Sequence, residues 1–125
     1  MKIRPYDAAV IDVPPDRFED LVGDALDGIP EALARLIDNV VVVVEEGRRN
    51  GPLLGRYEGI PLTERNAYYG TGPVMPDRVT IFRLPTLAHC RTEDEVVTQV
   101  RITVVHEIAH HFGIGDERLH ALGWG

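Results

Sequence analysis

The chain has 125 residues, 44% hydrophobic and 26% charged, with a formal net charge of −7. That length predicts one domain built on one hydrophobic core. The acidic balance excludes the clustered basic face of a nucleic-acid binder, and the short basic run Arg48-Arg49 in GRRNG reads as a solvated turn.

In chain order, residues 1–15 read as an irregular lead-in with a short strand at residues 8–13, and residues 16–125 as a single domain. The opening lacks the apolar core of a signal peptide. No run approaches the roughly 18 apolar residues of a membrane span, so a cytoplasmic protein without membrane contact is expected. PPDRFEDLVGDALDG predicts a helix: two prolines mark its start, Phe18, Leu21, Val22, Ala25 and Leu26 recur at helical spacing, and Gly28 stops it. IPEALARLID predicts a second helix with Pro30 near its first turn and Leu33, Leu36 and Ile37 on one face. NVVVVVEEG has no helical period, and its β-branched run reads as a strand covered on both faces.

LLGRYEGIPL has strand character around residues 54–57, and TERNAYYGTGPVMPD is a polar, Gly/Pro-rich loop. RVTIFRL alternates as a strand should, with Val79, Ile81 and Leu84 on one face and Thr80 and Phe82 on the other. Cys90 is the single cysteine, which rules out an intrachain disulfide and a cysteine-built zinc finger; it reads as a semi-buried thiol, and its neighbour His89 as incidental. Thr92 and Glu95 form a capping-box pattern at the head of a last long helix of about five turns, which Gly113 ends. Val97, Val100, Val104, Val105, Ile108 and Phe112 gather on one side of that helix, and Gln99, Thr103, His106 and His110 on the other. The order of elements predicts an α+β domain with a small mixed or antiparallel sheet.

The chemistry concentrates in VVHEIAHHFGIGD. His106 and His110 stand one turn apart, so their imidazoles can converge on one cation, and zinc accepts such nitrogens at about 2.0–2.1 Å. Glu107 lies about 100° further round, beside the metal rather than on it, which suits a base acting on a water. Gly113 lets the backbone reverse, so that Asp116 is placed to become the third ligand; its other reading is the N-cap of a short terminal helix, and the two roles are compatible. Glu117 and His120 are reserve ligands, and His111 faces the apolar side and reads as structural.

The segments FEDLVGDALDGIPEALARLIDNVVVVVEE, YEGIPLTER, PDRVTIFRLP and above all VRITVVHEIAHHFGIGDERLHALGW resemble the small bacterial zincin-like metallopeptidases, or mini-zincins. The resemblance covers most of the chain from Phe18 onward. It implies a minimal zincin-like fold: a small twisted sheet, a backing helix and an active-site helix beneath an edge strand, for which RVTIFRL is the choice. It also implies Zn2+ held by His106, His110 and Asp116, Glu107 as general base, and a peptide or small protein as substrate. No methionine follows the motif to form the hydrophobic floor found in larger zincins; Trp124 is expected to supply it by packing against the active-site helix near His106 or His110. Tyr68 and Tyr69 are weak candidates for stabilising an oxyanion. A rival reading is a metal-binding or interaction module with little turnover, and the sheet edges are compatible with a homodimer.

Overall fold

A computed structural model describes residues 11–121. The elements are helix α1 (Pro15–Asp27), helix α2 (Glu31–Ala34), strand β1 (Val40–Glu45), strand β2 (Gly55–Glu58), a 3-10 turn (Leu62–Glu64), strand β3 (Asp77–Phe82), helix α3 (Arg83–Ala88), helix α4 (Glu93–His111) and helix α5 (Asp116–Ala121). The expected strand at residues 8–13 lies partly outside the described residues, and residues 11–13 are not in a strand. Trp124 also lies outside them.

α1 forms as its pattern predicts. Pro15 occupies the first turn, where a missing N–H costs nothing, and Phe18, Leu21, Val22 and Ala25 bury one stripe against α4. The second helix is far shorter than expected. Only Glu31–Ala34 is helical, because Leu33 and Leu36 stay 46% and 58% exposed; a helix without a packed face gains too little to extend. Ile37 still packs against the core, and Asn39, at φ 56°, turns the chain into β1.

The sheet is mixed, in the order β1-β3-β2, with β1 parallel and β2 antiparallel to β3. Two expectations are corrected here. RVTIFRL supplies the central strand, not the edge, with Val79, Thr80 and Ile81 all at 0% exposed; Leu84 has already passed into α3. The valine run is an edge strand covered on one face: Val40, Val42 and Val44 pack against the core while Val41 is 42% exposed. Five like residues carry no alternation that could say which face is wet.

α3 was not expected from RLPTLA. Its Thr86 hydroxyl donates to the Phe82 carbonyl at 2.6 Å, and buried Arg83 donates to the Val13 carbonyl and pairs with Asp12 and Glu46, tying the lead-in to the end of the sheet. Cys90 follows, 5% exposed, and burial pushes its thiol above the ordinary value, with the Glu95 carboxylate adding to the rise.

α4 begins at its predicted cap, where the Glu95 N–H donates to the Thr92 hydroxyl oxygen at 3.1 Å. Val96, Val100, Val104 and Ile108 form its core stripe. Its front lies beneath the edge strand β2, which crosses Thr103 and Glu107 and leaves them 5% and 7% exposed. Gly55 permits that approach. A Cβ there would stand 2.6 Å from Thr103 Cγ2 and 3.1 Å from Glu107 Cγ, closer than carbon atoms pack. Gly55→Ala is therefore expected to cost about 1–3 kcal/mol of stability through overpacking, read by urea denaturation. Wild-type stability in that variant would mean that β2 sits further from α4. Among the described residues, no helix is long and apolar enough to cross a membrane.

Candidate metal centre

α4 carries His106 and His110 one turn apart, with ring centroids 4.9 Å from each other and planes nearly perpendicular. Gly113, at φ 85°, reverses the chain after the helix and delivers Asp116 as the first residue of α5. One carboxylate oxygen of Asp116, Oδ1, then lies 3.1 Å from Nε2 of both histidines. His110 Nδ1 donates to the Ile114 carbonyl at 2.9 Å, which leaves Nε2 as the nitrogen aimed at Asp116. Glu107 is buried beside them, and one ligand atom from each of His106, Glu107 and His110 lies within 4.8 Å of the others.

The donor set fits a divalent cation. Four ligands at about 2.0–2.1 Å in tetrahedral geometry stand roughly 3.3 Å from one another, and the carboxylate-to-imidazole separations are already close to this. Lone pairs of an imidazole and a carboxylate facing each other at such a distance repel unless a proton or a cation stands between them. Two imidazole nitrogens and the Asp116 carboxylate, with no thiolate, match the preference of zinc for N/O donors.

Behind the histidines lies a buried polar hub that the sequence reading did not single out. Asp77, 1% exposed, accepts from the Tyr57 hydroxyl, the Ile60 N–H at 3.0 Å, Arg65 Nη2 at 3.1 Å and His111 Nδ1 at 3.0 Å. The Asp38 N–H donates to His111 Nε2 at 3.2 Å, so the ring carries its proton on Nδ1. His111 is thus structural, as expected, and wholly buried. The signal for this hub was present in YEGIPLTER and PDRVTIFRLP, which contain Tyr57, Arg65 and Asp77. Their separation along the chain hid their meeting.

The electrostatics differ between the two buried carboxyls. Burial raises Glu107 above its ordinary value, His106 and His110 oppose this, and the Asp116 carboxylate adds to the rise. Burial would also raise Asp77, but hydrogen bonds from Tyr57, Ile60 and His111, together with the Arg65 guanidinium, outweigh it and hold the carboxyl below its ordinary 3.8. Burial and the bond to Asp77 push the Tyr57 hydroxyl well up, so it stays protonated and donates. A depressed carboxyl contributes stability above its unfolded value and loses it as pH falls through the folded one. The stability gap between wild type and Asp77→Asn should therefore be constant near neutral pH and narrow below about pH 4. Urea titrations at about pH 7 and about pH 3 measure it; an unchanged gap would remove the ionised carboxylate from the hub.

A family model described as a zincin-like metallopeptidase matches residues 37–124. The chain belongs to that family. Comparison with curated proteins returns no match. The matched zincin-like segment holds the sheet, the hub and the motif helix, while α1, which backs α4, precedes it. The small mixed sheet with a C-terminal motif helix is the minimal zincin-like fold. The Tyr69 hydroxyl accepts from Asn39 Nδ2 and its ring lies under the Arg65 guanidinium at 4.3 Å, while Tyr68 is 81% exposed. His89 bonds the Pro85 carbonyl, and Glu117 and His120 stand exposed on α5.

Proposed function

We propose that the chain is a zinc-dependent peptidase in which His106, His110 and Asp116 hold the metal and Glu107 is the general base. The convergence of one Asp116 oxygen on both imidazole nitrogens at 3.1 Å carries this reading. Both histidines also group with Glu107, one ligand atom of each within 4.8 Å of the others; the reading gives the third place to Asp116 because one of its oxygens lies 3.1 Å from both Nε2 atoms. That leaves the Glu107 carboxylate beside the metal position, free to move protons.

Bound there, zinc supplies Lewis acidity, polarising a scissile carbonyl and acidifying a water. Glu107 takes the proton of the attacking water at its carboxylate and passes it to the leaving nitrogen as the amide bond breaks. β2, through Gly55, packs on the Glu107 side chain at Cγ and shields it from bulk water. His110 keeps its orientation through the Ile114 carbonyl. β2 pairs only with β3 among the described residues, so its outer N–H and C=O groups are open to an extended peptide laid beside the site.

The test is cleavage of a proteome-derived peptide library, followed by mass spectrometry of new termini. Zinc-loaded protein is expected to produce cuts that vanish on chelation and return with added zinc. A fully zinc-loaded protein that cuts nothing in such a library would favour a binding module instead.

A further inference from the structure

We propose that Asp77 is the positioning residue of the metal centre: it touches no donor atom, yet it ties together the segments that set all three ligands. The inference rests on the metal-site reading above and goes beyond it.

The first tie runs through His111. Its Nδ1 donates to Asp77 Oδ2 at 3.0 Å, which locks the last turn of α4 against the start of β3, one residue after His110. A second runs through Tyr57, whose hydroxyl donates to the same oxygen while its ring lies beside the His110 ring, centroids 6.3 Å apart. The third tie is longer. Asp77 accepts from the Ile60 N–H and from Arg65 Nη2, so it clamps both ends of the segment that contains Thr63. Thr63 packs so tightly on Gly113 that a Cβ at Gly113 would meet its hydroxyl. Gly113 begins the turn that presents the Ile114 carbonyl to His110 and brings Asp116 onto both histidines. Without the clamp, the turn has no wall.

The residue type matters because the four donors need four acceptor sites. An ionised carboxylate offers about four lone-pair directions and no hydrogen. Tyr57, Arg65 and His111 share Oδ2 and the Ile60 N–H takes Oδ1, so the NH2 of an amide would face either the Ile60 donor or the other three, and the contacts on that side would open.

The experiment compares wild type, Asp77→Asn and Tyr57→Phe at a temperature where circular dichroism shows each to be folded. Zinc affinity is read by competition with a chromogenic chelator, and ligand geometry by the visible spectrum of the cobalt(II)-substituted protein. Asp77→Asn is expected to weaken zinc binding about 10–100-fold, as loss of outer-shell support does, and to alter the cobalt bands. Tyr57→Phe, which keeps the ring and removes one donor, should shift both readouts in the same direction by less. Wild-type affinity and spectrum in the folded variants, even with a lowered melting temperature, would overturn the proposal and leave Asp77 as a support of the fold. If Asp77→Asn does not fold, Tyr57→Phe decides alone. His106→Ala is run alongside: only if it binds zinc as wild type does is the metal-site reading itself lost, a result distinct from failure of the Asp77 proposal.

Discussion

Glu107→Gln is expected to cut peptide hydrolysis by about 10²–10⁴-fold, the usual contribution of a positioned general base, while zinc remains bound at wild-type stoichiometry. The substitution keeps shape and volume, which matters because the side chain is 7% exposed beneath β2 and a larger change would disturb the packing around Gly55. Glutamine can still accept a hydrogen bond through its carbonyl oxygen, but it cannot take a proton from water near neutral pH. Separating turnover from metal content is therefore the informative comparison. Rates on any peptide cut by the wild type, measured beside metal analysis of the same samples, provide it. Undiminished hydrolysis in the variant would end the role assigned to Glu107.

His106→Ala should reduce bound zinc from about one per chain to near zero after gel filtration, because a site of two remaining protein ligands holds a divalent ion poorly. The fold should survive. His106 is partly exposed on the front of α4, and the core stripe of Val96, Val100, Val104 and Ile108 does not involve it. The loss would therefore be of metal rather than of structure, and near-identical far-UV circular dichroism should accompany it. Unchanged zinc content by elemental analysis would place the metal elsewhere.

Much of this was legible in the sequence because the chemistry is local. A cap at Thr92, an i, i+4 histidine pair and a helix-ending glycine all lie within one continuous stretch, and each follows from the geometry of a single helix. What failed was non-local. Strand order places β3 between β1 and β2, and no single strand records its neighbours, so neither the edge position nor the one-sided burial of the valine run is written in the segments themselves. The short helix α3 begins directly after β3, at a point where RVTIFRL still reads as extended. α2 stopped early because Leu33 and Leu36 found nothing to pack against, a fact about the surroundings rather than the segment.

The hub was missed for the same reason. Tyr57 and Arg65 flank the turn that follows β2, and Asp77 opens β3; only the antiparallel pairing of those strands, Tyr57 opposite Val79, brings them to one point. Asp77 alone reads as a loop-end aspartate. Its burial, which no local pattern announces, is what turns it into the fixed point behind the histidines.

The most direct measurement is an anomalous difference map at the zinc absorption edge from crystals grown with zinc. One peak per chain is predicted, about 2.0–2.2 Å from His106 Nε2, His110 Nε2 and an Asp116 carboxylate oxygen, with the Glu107 carboxylate beside it and not among its ligands. No peak at the two histidines in zinc-saturated crystals, or one without Asp116 in its coordination, would contradict the metal centre described here.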